Sequence, residues 1–313
     1  MDYQTLFNTI QAYAENTEGL FVGNIPVFVQ EAETRIYNTV QIPALRKNVT
    51  GTLTAGNQYI SLPDDWLSNF SLAVIDSDSR YNYLLNKDVN FLREAYPTVS
   101  YSGTAYQGTP GGVPAYYALF GSQLNNTNEM TLMVAPTPDD NYDVEMHYYY
   151  YPPTIVQGQI STVGNLVGGD NYTSGVYQNV ALTGGNGANA IADIVVTAGS
   201  VTSVVPTFGG SFYVVGDELS CEVLGDAGEN FTVEVTAVSN ANGTSWLGDN
   251  YDPVLFYGAM REAIIFMKGE QDMVTYYEKM YKEALDQLNR LGTGLERGDA
   301  FRNGQARIRQ VNP

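Results

Sequence analysis

The chain is poor in the residues from which most reaction centres are built. Of its 313 residues one is a histidine, His147, and one is a cysteine, Cys221. A single cysteine excludes an intramolecular disulfide framework and cannot by itself build a cysteine-rich zinc site, and it fits folding in a reducing cytoplasm. A Ser-His-Asp or Cys-His device would have to rest on His147. That residue stands in a strand-like run beside Tyr148, Tyr149 and Tyr150, with Cys221 far away in the sequence and no Gly-x-Ser-x-Gly elbow anywhere. Long apolar runs are also missing. No stretch approaches about 18 uninterrupted apolar residues, and Met1 to Phe21 lacks a basic region followed by an apolar one, so neither a membrane span nor a signal peptide is expected.

Positive charge is scarce as well. Fifteen Lys and Arg against 34 Asp and Glu leave a formal net charge of −19. The deficit is local: between Arg93 and Arg261 there is no Lys or Arg, while Glu94, Glu129, Asp139, Asp140, Asp143 and Glu145 accumulate. Such a surface repels phosphates, which argues against general nucleic-acid binding and suits either simple solubility or a wall past which DNA slides. The Gly-rich runs Gly168-Gly169 and Gly184 to Gly187 lack the Lys-Ser or Lys-Thr of a phosphate loop and do not lead into a helix, so they read as turns and no cofactor is expected. Gly168-Gly169-Asp170-Asn171 and Gly216-Asp217-Glu218 could offer oxygens to calcium, but neither has a full calcium-loop spacing and no metal is assigned. Asp139 and Asp140 sit in Pro136-Thr137-Pro138-Asp139-Asp140-Asn141, a turn context rather than a carboxylate pair across a cleft. The chemistry read from the sequence is non-enzymatic.

What the chain has in abundance is tyrosine, with 24 copies, inside a hydrophobic content of 44%. Tyr supplies stiff contact area with a polar tip, suited to surfaces buried against partners and equally to strands. The length favours two or three modules. Tyr3, Leu6, Phe7, Ile10 and Tyr13 predict an amphipathic helix, and Gly19 and Gly23 punctuate the stretch after it. A second helix carries Ile25, Phe28, Val29, Ala32, Ile36 and Val40 on one stripe, with Pro26 in its first turn and Pro43 ending it.

From Val49 to Tyr151 short β-rich runs alternate with turn residues. The expected strands are Gly51 to Thr54, Gln58 to Leu62, Leu72 to Asp76, Tyr81 to Leu85, Tyr116 to Phe120, Glu129 to Val134 and Val144 to Tyr151. Trp66 reads as the aromatic anchor of a loop, and a short helix follows Asp88 as its N-cap. Residues 158–242 shift to Gly, Ser, Thr, Asn and Val, with strand-like pieces at Ile191 to Thr197, Phe212 to Val215 and Phe231 to Ala237 separated by turns that include Gly209-Gly210. Helical periodicity returns at Asp252-Pro253 and again from Asp272 to Leu291, divided at Gly269.

The expected fold class is therefore α+β, with a helical bundle of N- and C-terminal helices, an antiparallel β module between them and an additional inserted all-β domain. The expected boundaries are 1–48 and 243–291 for the bundle helices, 49–157 for the β module, 158–242 for the insert and 292–313 for a flexible basic arm. The arm has no apolar stripe. Its Arg297, Arg302, Arg307 and Arg309, with Phe301 and Ile308 between them, suit docking on an acidic partner.

Three passages carry a family resemblance. One is Ile25-Pro26-Val27-Phe28-Val29-Gln30-Glu31-Ala32-Glu33-Thr34-Arg35-Ile36, followed by Ile42-Pro43-Ala44-Leu45-Arg46. The second joins Ser61-Leu62-Pro63-Asp64-Asp65-Trp66, Gly112-Val113-Pro114-Ala115-Tyr116-Tyr117 and Val134-Ala135-Pro136-Thr137-Pro138. The third is Tyr277-Glu278-Lys279-Met280-Tyr281-Lys282-Glu283-Ala284-Leu285. Together they resemble the head-to-tail adaptor (connector) proteins of tailed phages, from whose simplest members this chain departs by its Gly-rich insert. The resemblance implies a homo-oligomeric ring of about twelve subunits, at the head-tail junction of the virion after assembly in the host cytoplasm. The partners it implies are the portal protein, tail nozzle or fibre proteins, and genomic DNA passing through the channel unbound, with no membrane. On it the segment Arg297, Phe301, Arg302, Arg307, Ile308 and Arg309 becomes a portal-binding arm. A glycan-binding tail-fibre or lectin-like protein using the Tyr-rich strands is the alternative.

Overall fold

The computed structural model describes residues 1–76, 78–97, 100–102, 105–107, 111–123, 126–221 and 230–300. The chain divides into two compact units, one of Met1–Gln41 with the chain from Pro153 onward, the other of Ile42–Pro152.

The first unit opens with α1 (Tyr3–Ala14) and α2 (Gly19–Thr39). Asp2 caps α1 by accepting from the Thr5 amide at 2.9 Å, and Tyr3, Leu6 and Ile10 form its buried face. The helix α2 does not start at Pro26. It starts at Gly19 and runs through Gly23, so Pro26 lies well inside it. Phe21 joins the buried stripe of Ile25, Phe28, Val29, Ala32 and Ile36, and that tertiary burial outweighs the weak helix propensity of Gly and Pro. Gly23 has a further use, since a Cβ there would stand 3.0 Å from the Asn189 side chain.

The second unit carries β1 (Arg46–Leu53), β2 (Tyr59–Ser61), β3 (Trp66–Ile75), β4 (Tyr81–Tyr83), β5 (Leu85–Asn86), α3 (Val89–Ala95), β6 (Ser100–Ser102), β7 (Ala105–Gln107), β8 (Tyr116–Gln123), β9 (Asn126–Ala135) and β10 (Tyr142–Tyr150). One sheet has the order β1-β10-β3-β4 and is antiparallel throughout, with Arg46 opposite Tyr149 and Leu53 opposite Tyr142. The other runs β2-β9-β8-β5; its last pair is parallel, a departure from the all-antiparallel expectation. Strands β6 and β7 form a separate hairpin. Leu53, Leu72, Val74, Val144, Met146 and Tyr148 of the first sheet meet Leu62, Leu132, Val134 and Tyr117 in one core, so the unit is a β-sandwich. Leu92 of α3 packs with Ala118, Met133 and Ala135 on the second sheet's opposite face. Asp88 caps α3, accepting from the Asn90 amide at 2.8 Å. Trp66 opens β3 rather than anchoring a loop, and its indole N–H donates to Asn69 Oδ1 at 2.6 Å.

Back in the first unit, seven strands come next: β11 (Gln159–Val167), β12 (Gly175–Ala181), β13 (Thr183–Gly184), β14 (Ala188–Thr197), β15 (Ser200–Ser211), β16 (Glu218–Ser220) and β17 (Thr232–Ser239). They form two antiparallel sheets, β11-β17-β16-β13 and β12-β14-β15. Ile160, Leu219, Val233 and Val235 pack against Ala190, Ala192, Ile194 and Val196 in a core of their own. Gly209-Gly210 is not a turn but part of β15: a Cβ on Gly209 would lie 2.5 Å from the Ile160 carbonyl, so glycine is what lets β11 approach. The strand expected at Phe212 to Val215 is a turn. Phe212 has φ 65°, and the Asp217 carboxylate holds the Val214 amide at 2.9 Å, which ends the extended run.

The first and last strands of this β region pair with each other, Gln159 opposite Ser239, so both ends of the segment leave the sheet side by side. Tyr3 and Phe7 of α1 pack against Phe212, tilted and edge-on respectively, at centroid distances of 5.2 and 5.4 Å. Replacing residues 158–242 by a short Gly-Ser linker is therefore expected to leave a soluble chain with one cooperative melt, lowered by about 1 kcal/mol for each aromatic contact removed. Insoluble or non-cooperative protein would mean that the helices depend on this region for folding.

Three helices complete the unit: α4 (Trp246–Asn250), α5 (Asp252–Phe266) and α6 (Gln271–Ala300). The short α4, capped by Ser245 on the Gly248 amide at 3.1 Å, has no sequence-level stripe to announce it. The helix α6 passes the expected end at Leu291 and continues to Ala300, with Tyr277, Tyr281, Ala284 and Leu288 on its buried face.

Candidate interaction surfaces

Charged side chains knit three helices together. Arg261 of α5 reaches Glu262 at 2.6 Å and Glu278 of α6, Arg35 of α2 pairs with the same Glu262 at 2.8 Å, and Lys282 pairs with Glu278 at 3.0 Å. Burial works against the ionised form of Glu278, yet the Lys282 and Arg261 contacts hold its carboxyl below the usual range. These pairs fix the register of α2, α5 and α6 around Gly258, where an added Cβ would stand 3.0 Å from Ala32 and 3.2 Å from the Tyr281 ring.

A carboxylate that the sequence does not flag lies on the inner face of α2. Glu33, 3% exposed, accepts from the Thr154 hydroxyl at 2.6 Å and from the Ile155 amide at 2.8 Å. It pins the strand of chain that re-enters the first unit after Pro153. Burial pushes its pKa up to about 7, against the pull of those two hydrogen bonds. The signal was present: Glu33 is four residues after Val29 and three before Ile36, the phase of the apolar stripe, where a carboxylate needs partners.

In the second unit, the outward face of the β1-β10-β3-β4 sheet carries a polar and aromatic cluster. The Arg46 guanidinium lies 3.8 Å from the Phe70 ring centroid and 5.0 Å from that of Tyr149, and donates to the Tyr149 hydroxyl at 2.6 Å. Glu145 accepts from Asn48 at 2.9 Å and lies 3.1 Å from His147 Nε2. The Asn48 and Tyr81 hydrogen bonds hold the Glu145 carboxyl below its ordinary value. On the opposite, core-facing side of the same strands, where Tyr148 is buried, Asp65 accepts from Lys47 at 2.5 Å and from Tyr148 at 2.8 Å. The sole histidine is thus half-exposed on a sheet face beside a carboxylate, with Cys221 in the other unit.

Asp139 accepts from the Tyr142 hydroxyl at 2.6 Å, and Asp140 from the Asn141 amide at 2.8 Å. Both carboxylates serve the turn, as their context suggests. Asp217 gives its oxygens to the Asn186 amide at 3.1 Å, the Asn186 side chain at 2.8 Å and the Val214 amide, so it braces a turn. Among the described residues no three His, Cys, Asp or Glu side chains gather in a metal-binding group. Nor, among them, is any helix long and apolar enough to cross a membrane. Of the proposed arm, Arg297 falls within α6, while Phe301, Arg302, Arg307, Ile308 and Arg309 lie outside the described residues.

Residues 1–185 match the family model described as SU10 adaptor protein, a span that takes in α1, α2 and the whole second unit and exceeds half of the chain. The chain belongs to this family of phage adaptors. No curated protein matches it.

Proposed function

We propose that the chain is a head-to-tail adaptor that assembles as a ring beneath the portal of a tailed phage, extends the DNA channel and offers attachment to tail proteins or fibres. The observation that carries this reading is the family match over residues 1–185. On this reading the cationic C-terminal segment is a docking arm, with Arg297, Arg302, Arg307 and Arg309 pairing with carboxylates of a neighbouring virion subunit, the portal or a second copy, and Phe301 and Ile308 as apolar anchors.

The charge distribution suits a channel wall. With no Lys or Arg between Arg93 and Arg261, most of the chain has nothing to neutralise phosphate, and passing DNA would not be trapped. A chain ending at Leu291 is expected not to retain duplex DNA at about 0.15 M salt in a gel-shift or filter assay. Micromolar, salt-sensitive binding by that chain would remove the channel-wall role.

A further inference from the structure

One end of the helical layer is apolar and uncovered. There α1 ends, α2 begins, α5 ends and α6 begins; the Asn16 side chain reaches Met267 Sδ at 3.5 Å, and the Phe266 ring lies 5.2 Å from that of Phe28. Leu20, Ile265, Phe266, Met273 and Tyr276 are each between 40% and 69% exposed. Five large apolar residues from three helix ends form a patch of a kind that marks an interaction surface. Glu15, Glu18, Glu270 and Asp272 stand exposed at the turns and first turns around it, against one lysine, Lys268. Among the described residues, none of these five takes part in a salt bridge.

The complement to an acid-rimmed apolar surface is a cationic segment with apolar anchors. Residues 301–313 are such a segment, holding Arg302, Arg307 and Arg309 with Phe301, Ile308 and Val311 and no acid; the comparable stretch 35–47 is already built into α2 and β1. It follows Ala300, the far end of α6. Thirty helical residues span about 45 Å, and the segment fully stretched reaches about the same distance, so a copy cannot comfortably dock its own segment on its own patch.

We propose that this apolar, acid-rimmed end receives the cationic C-terminal segment of a second copy, joining copies head to tail. The inference rests on the adaptor reading and names the partner of its arm. A head-to-tail contact uses two different surfaces per copy, and gives a ring where the rotation between copies closes.

Charge reversal in the full-length chain tests it. Arg302→Glu with Arg307→Glu and Arg309→Glu, or Glu15→Lys with Glu18→Lys and Glu270→Lys, is each expected to weaken self-association at least about tenfold in sedimentation velocity, with helix content unchanged by circular dichroism. A chain carrying both sets should recover assembly, because attraction is restored with signs exchanged. Phe266→Ser, which leaves the charges alone, should weaken it as well. Self-association untouched by either reversal, or not recovered in the combined chain, overturns the proposal. If the arginine reversal spares self-association but abolishes co-sedimentation with portal rings, the arm's receiver is the portal; the proposal falls and the adaptor function stands. A wild-type chain that neither self-associates nor binds portal rings overturns both.

Discussion

The protein is expected to be more stable at about pH 5 than at about pH 8, and Glu33→Gln should remove most of that difference. The Glu33 carboxyl has a pKa of about 7 in the folded chain against 4.5 in its ordinary state. The folded state therefore holds this proton more tightly than the unfolded one. Its contribution is full below 4.5 and is lost as the pH rises through about 7. A gap of that size corresponds to a loss on the order of 3 kcal/mol by pH 8. An amide at position 33 keeps its oxygen for the Ile155 amide and turns its NH2 to donate to the Thr154 hydroxyl, as the O–H of the protonated acid does, but cannot ionise, so the variant should match wild type near pH 5 and exceed it near pH 8. Urea melts of both chains at the two pH values measure this. Equal pH slopes in the two chains would show that Glu33 is not the group responsible, and that other carboxylates set the acid-side behaviour.

Gly258→Leu should be the more damaging change. The α5 backbone at this position is pressed between Ala32 of α2 and Tyr281 of α6, and there is no room for a branched side chain. Inserting one forces three helices apart and strains the Arg35–Glu262 and Arg261–Glu278 pairs that register them. We expect a loss of about 3 kcal/mol or more, at the upper end of overpacking costs, and with it any assembly that uses the ends of these helices. Gly258→Ala is a control. It gains up to about 1 kcal/mol of helix propensity while Ala32 and Tyr281 give by a few tenths of an ångström, so it should melt close to wild type. If the Leu variant melts at the wild-type temperature, α2, α5 and α6 do not enclose Gly258.

Periodicity was informative where one face of an element is buried and the other is wet. The stripes of α1, α5 and the first two-thirds of α6, the N-cap at Asp88 and the break at Gly269 are all of this kind, because local spacing records which side meets the core. It failed where tertiary contact overrides local preference. Pro26 and Gly23 look like helix punctuation, yet they lie inside α2 because Phe21 has a core to enter. Gly209 looks like a turn and instead makes room for the Ile160 carbonyl. Phe212 to Val215 has strand composition, but Asp217 draws it into a turn. The site was less legible than the fold. Glu33 was visible only as an acid in the wrong phase, and the apolar end of the helical layer is assembled from two short stretches, around Leu20 and from Ile265 to Tyr276, that lie far apart in sequence.

A portal-binding adaptor ring makes one direct demand on the purified protein. Mixed with isolated portal rings and imaged by negative stain, it should give a second ring stacked coaxially on the portal, with the central channel open. Monomers that leave the portal bare, and that are instead retained on a glycan array, would contradict it and make the Tyr-rich sheets a receptor-binding surface.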